Sequence, residues 1–438
     1  MKYFLTSDAV IKWLETPSIY HIEKDDLYEL DNESFEFLQN CASQESSEFG
    51  VRSLKKALRA FIDYCLKEGI LTTERVSVKR PPLIKSPAPS LRYLELQITN
   101  KCNLKCKHCY IGDRNIFTLP QPLPSREGKL RENPIKKEGI IMGKEIINKS
   151  PLPSRERARV RGETKHELSI NQIRAILKEF EEMQGLRVLI TGGEPLIHSR
   201  FKEINEMLPE FFVRKVLFTN GLLLNKKALK NLKVDEIQIS IDGLKDAHDS
   251  LRGKGTFRLA IEAVKRAIDY GFEVSISTMV HPKNLDDFDE MDKLFKDIGI
   301  KDWTVDVPCI TGRLKENIAF QISPEQSGKY LRYGYGDGLH AGTSLRAIDS
   351  FACGLHLIAI MADGRVSKCT FYSQSPIGRI EDGLRECWQR IKPIRLDELK
   401  CDCEYIESCR GGCRHRARLL GDPFGKDLYR CNFYGIMK

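Results

Sequence analysis

Three cysteines fall within eight residues at Cys102-Asn103-Leu104-Lys105-Cys106-Lys107-His108-Cys109. Thiolates that close can hold three corners of an iron–sulfur cube and leave one iron open. A structural zinc is the other reading. It would use His108 as a fourth ligand, although such sites usually pair two C-x2-C knuckles. Far downstream come Cys353, Cys369, Cys401, Cys403, Cys409, Cys413 and Cys431, with Cys309 and Cys387 still unassigned. Residues 1–17 mix Lys2, Asp8, Lys12 and Glu15 with apolar residues, unlike a secretory signal, so a cytoplasmic location is expected. In that reducing compartment, clustered cysteines bind metal or do chemistry more often than they form disulfides. Cys41 and Cys65 stand apart in apolar, helix-like surroundings and read as packing residues.

The elements that must position these thiols are visible as periodicity. Strand-like runs are expected at 93–98, 187–191, 215–219, 236–241, 273–279 and 303–307. Helical stretches such as Ile170–Met183 and Thr256–Tyr270 lie between them. Six β/α repeats imply an α/β domain with a parallel sheet, open or closed into a partial barrel. The first cysteine loop then leaves the end of the first strand. Residues 111–166 break the rhythm and repeat the string PLPSRE at 122–127 and 151–156. So long a stretch without periodicity reads as a tolerated, disordered insertion rather than a lid.

Ahead of this domain, residues 1–80 read as a small α+β unit. Ile19–Ile22 and Leu27–Leu30 flank Lys24-Asp25-Asp26 as a hairpin, and Leu54 to Cys65 repeat at helical spacing before Gly69. The proline-rich stretch 81–90 reads as a linker. After Pro308 the pattern turns loop-rich and cysteine-rich, which calls for metal to hold it together.

Composition closes off several classes. The 438 residues are 41% hydrophobic, too apolar for a disordered chain, and no apolar run reaches a membrane-spanning length. The formal charge of +9 is concentrated, with +6 in residues 111–166 and −2 in residues 1–90. No folded region is basic enough to suggest a nucleic-acid partner.

The motifs together resemble the radical S-adenosylmethionine (SAM) superfamily. The C-x3-C-x2-C loop, Thr191-Gly192-Gly193-Glu194-Pro195, Ser240-Ile241-Asp242-Gly243 and His248-Asp249-Ser250-Leu251-Arg252 carry that resemblance. It implies that Cys102, Cys106 and Cys109 hold a [4Fe–4S] cluster whose open iron binds SAM. By the same resemblance Gly192, Gly193 and Glu194 face the SAM amino group. Ser240 and Arg252 contact SAM, Arg252 through the carboxylate, and His108 lies by the adenine.

The tail resembles a SPASM domain, which implies two auxiliary [4Fe–4S] clusters and three in all. Cys353, Cys369 and Cys413 would hold the first; Cys401, Cys403, Cys409 and Cys431 would hold the second. Cys401 and Cys403 are one residue apart, where the family usually has two. Cys309, Cys387 or an open iron would complete the first.

Residues 15–38 resemble a PqqD-like domain, a recognition element for ribosomally made peptides that binds a leader as an added strand. A DNA-binding winged helix shares this pattern, but the local charge of −2 disfavours it. The expected architecture is therefore a recognition domain at 1–80, a linker at 81–90, a partial (β/α)6 core at 91–320 and a SPASM domain at 321–438.

The implied activity is reductive cleavage of SAM to a 5′-deoxyadenosyl radical that abstracts hydrogen from a docked precursor peptide. A thioether, C–C or C=C bond would follow, with ferredoxin or flavodoxin as electron donor. Sulfatase-maturing relatives carry an Asp where this chain has Thr370, so formylglycine formation is not expected. Two alternatives are modification of a small-molecule or tetrapyrrole precursor and a non-catalytic, zinc-binding interaction protein.

Overall fold

The computed structural model describes residues 2–43, 56–111, 167–336, 351–352 and 355–436. From residue 112 onward the expected insertion lies outside them, as does Cys353. The N-terminal unit contributes β1 (Phe4–Leu5), β2 (Ala9–Trp13), β3 (Pro17–His21), β4 (Asp26–Glu29) and β5 (Leu71–Thr72). β1 pairs with β5, and β2, β3 and β4 form an antiparallel meander. The expected hairpin is β3–β4, with Asp25 in the left-handed region at its turn (φ 65°). Helices α1 (Asn32–Ala42) and α2 (Lys56–Lys67) pack on it, α1 capped by the Asp31 carboxylate accepting from Ser34 N at 2.7 Å.

The expected core strands form in chain order. β6 (Tyr93–Thr99), β7 (Arg187–Gly192), β8 (Arg214–Thr219), β9 (Glu236–Ser240), β10 (Glu273–Met279) and β11 (Asp302–Asp306) are neighbours and parallel. Their alternate residues sort by polarity. Leu94, Leu96, Ile98, Val188, Ile190 and Leu217 join the main apolar core, while Glu95, Gln97, Thr191 and Ser240 occupy the other set of positions. On the apolar side the helix Thr256–Asp269 buries Ala260, Ala263, Val264 and Ala267, small residues that allow close packing.

The tail departs from its loop-rich reading. β12 (Leu357–Ile360) pairs parallel with β6, and β13 (Arg365–Ser367) and β14 (Gly378–Arg379) continue the sheet antiparallel. The nine-stranded sheet therefore crosses the boundary expected at residue 320, with β11 and β14 as its ends. Its physical reason is the edge of β6, whose unpaired backbone groups are covered by β12. The run Leu357-Ile358-Ala359-Ile360 is too short to announce itself.

The N-terminal unit sits on the amino-terminal end of the sheet. Asp25 bonds the first residue of β7, Arg187, at 2.7 Å, and lies 3.3 Å from the Nε of Arg214, the first residue of β8. Arg214 also reaches Glu236 at 3.0 Å and Glu273, the first residues of β9 and β10. Lys12 donates to the carbonyls of Gly185 at 2.7 Å and Phe212 at 3.1 Å. The stretch 81–90, expected as a linker, is pinned along its length: Ser86 N donates to Trp13 O, Ser90 N to Glu15, and Trp388 Nε1 to Pro89 O.

Removing one partner from a buried ion cluster leaves an uncompensated charge, at a cost of about 3–5 kcal/mol. Asp25→Ala should therefore lower the urea midpoint and make 81–90 cleavable by protease; an unchanged midpoint would show the cluster to be dispensable. Burial pushes Lys12 down to about 8. Above pH 8 the unfolded chain keeps a proton that the folded one releases, so stability rises with pH up to the ordinary lysine range. Denaturation at pH 8 and 10 should show this rise in the native protein, and a smaller one in Lys12→Met.

Candidate functional site

Strand polarity sends the first cysteine loop out of the carboxyl end of β6. Residues 192–194 brace its start: Gly193 N donates to Thr99 O and Glu194 N to Lys101 O, both at 2.8 Å. A Cβ on Gly192 would lie 2.2 Å from Thr99 O, and one on Gly193 would lie 2.1 Å from Lys101 O. Only glycine fits there. The rest of the loop is tied down by Lys107 N to Leu251 O (2.9 Å), Arg313 N to Cys109 O (3.0 Å) and Asn317 Nδ2 to Lys107 O (3.1 Å). Burial pushes the Cys102 thiol up to about 12 and Cys106 up to about 11.

A charged triangle adjoins these thiols. Arg252 Nε donates to Asp242 Oδ2 at 2.5 Å, its Nη1 lies 4.0 Å from Cys106 Sγ, and its Nη2 lies 3.5 Å from His108 Nε2. Asp242 is fixed in turn by Met279 N at 2.7 Å and by its own amide on His248 Nδ1 at 3.1 Å. Burial opposes the Asp242 charge, but Arg252 and the Met279 amide hold its carboxyl well below the usual range. Burial, reinforced by Arg252, pushes His108 down to about 3, so the imidazole is neutral. Its Nδ1 is buried and, among the described residues, has no partner. Ser240, at the end of β9, is partly accessible.

Glu194 is placed differently from the expectation that it meets a ligand's ammonium. It is fully buried and accepts from Thr219 Oγ1 at 2.8 Å, Asn220 N at 2.9 Å and Leu196 N at 3.3 Å. Burial pushes it up to about 7. The carboxylate thus closes the end of β8, while Gly192 and Gly193 remain partly accessible.

The tail thiols fall into two sets. Cys401, Cys403, Cys409 and Cys431 lie within electrostatic reach of one another, and Arg414 lies beside Cys401 with Nε and Nη2 unpartnered among the described residues. Cys413 lies elsewhere, beside Cys309. Cys369 is partly exposed at the start of the turn Thr370–Tyr372. These all-thiol sets and buried unpartnered donors fit anionic iron–sulfur clusters. Among the described residues, no three His, Cys, Asp or Glu side chains gather at single-ion spacing. Between the first cysteine loop and the tail lies a cavity of about 530 Å³, lined by Tyr110, Gly312, Arg313, Thr370, Phe371 and His415 among others.

Two residues escaped the sequence reading. Asp242 was visible only as part of a motif, and Glu95 only as a polar residue in a strand. Glu95 Oε2 accepts from Thr370 N at 3.0 Å and Oγ1 at 2.5 Å, and burial raises its carboxyl above the usual range.

Residues 96–295 match the family model of the radical SAM superfamily. The chain is 27% identical to the mycofactocin maturase MftC of Mycolicibacterium smegmatis over 292 residues, 59% of this chain and 73% of that one. It is 23% identical to an AdoMet-dependent heme synthase of Oleidesulfovibrio alaskensis over 384 residues, 78% and 87% of the two. Among solved structures, SuiB of Streptococcus suis bound to SAM matches with a TM-score of 0.61 and 14% identity, covering 98% of this chain and 100% of that one. The fold is that of the radical SAM proteins. Detaching Arg252 by Asp242→Ala should weaken SAM binding about 10- to 100-fold while iron content is retained. Calorimetric titration of the reconstituted protein checks this, and unchanged affinity would remove Arg252 from the SAM site.

Proposed function

We infer that this radical SAM enzyme matures a ribosomally made peptide. Supporting the reading most directly is the cavity shared by Tyr110, next to Cys109, and the tail residues Thr370–Ser375. A substrate there would lie between the first cysteine loop and the tail. Cys102, Cys106 and Cys109 would hold the SAM-binding [4Fe–4S] cluster. When bound, that cluster and SAM supply the radical that abstracts hydrogen from the substrate. Arg252, oriented by Asp242, would pair with the SAM carboxylate. The backbone of Gly192 and Gly193 would meet the amino group, Ser240 a polar group, and the neutral His108 ring the adenine. Glu95 would take the proton that leaves the substrate on bond formation, and an auxiliary cluster would take the electron. Cys353, Cys369 and Cys413, and separately Cys401, Cys403, Cys409 and Cys431, would hold two auxiliary [4Fe–4S] clusters. A ferredoxin- or flavodoxin-type donor in the cytoplasm would supply electrons. Among the described residues, no helix is long and apolar enough to cross a membrane.

The N-terminal unit would dock the leader. Its three-stranded sheet has two edges, and β2 has lost its own: Arg80 donates to Ala9 O, Ser86 to Trp13 O, and Trp13 N to Gln184. Among the described residues, β4 carries no such partner, and its Tyr28 packs on the exposed Tyr64 of α2. A leader added along β4 would lie against that pair.

The likeness to heme synthases supports the second reading, a tetrapyrrole precursor as substrate. The readings part in one experiment. With SAM and dithionite, a short peptide captured by the chain should lose two hydrogens, and Cys106→Ala should abolish both this and 5′-deoxyadenosine formation. Tyr64→Ala should raise the KM for that peptide about 10-fold, as loss of one aromatic anchor does, and leave the KM of a leaderless peptide unchanged. Turnover of a tetrapyrrole with no captured peptide would favour the second reading. An unchanged KM in Tyr64→Ala would move the leader away from β4.

A further inference from the structure

We infer that the cavity between the first cysteine loop and the tail holds its substrate by a carboxylate, seated on Arg313 beside His415. This rests on the reading that a peptide substrate occupies that cavity. It adds to that reading the charge the substrate must bring.

The wall of the cavity is cationic. Arg313, Lys315 and Arg418 line it against one carboxylate, the exposed Glu316. Among the described residues, none of these three cations forms an ion pair. Elsewhere the fold satisfies its guanidinium groups. Arg214 bonds Glu236 at 3.0 Å, and Arg416 bonds Asp427 at 2.9 Å. Arg92, Arg187 and Arg414 each leave a buried nitrogen without a partner, but another nitrogen of the same group reaches Glu15, Asp25 or Gly425 O. Arg313 differs. Its Nε is buried and unpartnered, and among the described residues no nitrogen of its side chain donates to another residue. Its backbone amide donates to Cys109 O at 3.0 Å, which keeps the residue beside the first cysteine loop.

A second residue of the wall lacks an acceptor in the same way. His415, in the helix Arg414–Leu419, lines the cavity at 8% exposure, and both its ring nitrogens are unpartnered among the described residues. Phe371 stacks on its ring at 5.8 Å and Tyr372 meets it edge-on at 5.1 Å, which fixes how the ring is turned. Imidazole carries at least one N–H whether neutral or charged, so an acceptor is missing here. Arg418, in the same helix, lies over the Tyr372 ring at 5.5 Å and donates to Ser375 Oγ at 3.1 Å. The space is thus surrounded by donors and cations, and the ligand that matches them is a negatively charged acceptor. An unmodified peptide offers one in two places, an Asp or Glu side chain and its own C-terminus.

The test is equilibrium dialysis of the reconstituted full chain against blocked amino acids. N-acetylglutamate N-methylamide carries only a side-chain carboxylate, N-acetylglutamine only a terminal one, and N-acetylglutamine N-methylamide neither. At least one acid should bind about 10-fold more tightly than the neutral probe, as a charge-assisted hydrogen bond implies, and the acid that does so identifies the source. This comparison does not depend on any variant folding. Arg313→Gln should remove the preference and Arg313→Lys restore part of it, both with iron content and SAM affinity unchanged. His415→Phe, which keeps an aromatic ring against Phe371, should weaken the acid about 5-fold and leave the neutral probe unmoved. Equal affinity for all three probes would overturn the inference, as would an Arg313→Gln protein that loses SAM affinity, because that guanidinium would then belong to the SAM site. A captured peptide that is dehydrogenated by a chain with no preference for acids would keep the peptide reading and sink the carboxylate. A porphyrin bearing propionates, bound through Arg313 where neither acidic probe binds, would keep the carboxylate and sink the peptide reading. Failure of the porphyrin and both acids to bind would overturn the inference.

Discussion

A parallel sheet has one direction, and the distribution of charge in this protein follows it. Every strand from β6 to β12 points the same way, so all their carboxyl ends meet at one rim. The cysteine loop, Gly192–Gly193, Asp242 and Cys309 all leave strands at that rim. Arg187, Arg214, Glu236 and Glu273 begin strands at the other. The lower rim is a closed ion cluster in which Asp25 and the two glutamates meet the arginines. The upper rim keeps buried donors and acceptors without partners, at His108 Nδ1, Arg313 Nε and His415. Buried polar atoms are costly to leave unpaired, so those beside the cysteine loop and the cavity are where a ligand would complete the structure.

That same direction explains what was legible in the sequence. The core strands announce themselves because each is an apolar run next to an amphipathic helix, and the cysteine loop announces itself by spacing. The hairpin around Asp25 was readable as a turn. Its ionic role was not, because its partner Arg187 lies 162 residues away and no periodicity links them. β12 is four residues long and is a strand only because β6 offers it an edge. Glu194 shows the converse case. Its motif was plain, but the donors on Thr219 and Asn220 that turn the carboxylate inward lie beyond the motif. Asp242 was quoted as part of a string, yet its work is to hold Arg252 beside Cys106, a contact across 146 residues.

Recognition and chemistry would also be separated by that direction. The N-terminal unit, with β4 as its uncovered edge among the described residues, sits at the lower rim, and the first cysteine loop opens at the upper one. β6 has seven residues, which at ~3.3 Å per residue makes the sheet roughly 23 Å tall. On the proposed reading, an extended peptide held along β4 needs at least about seven residues merely to climb that height before it reaches the cavity. Its docking sequence and its modified residue would then be read by surfaces that share no side chain. The cavity could accept a changed core sequence without loss of docking, because the lower rim would hold the leader whatever stood beside Tyr110 and Thr370. A compact tetrapyrrole would have no use for the distance, and on that reading the buried ion cluster would serve only to stabilise the amino-terminal end of the sheet.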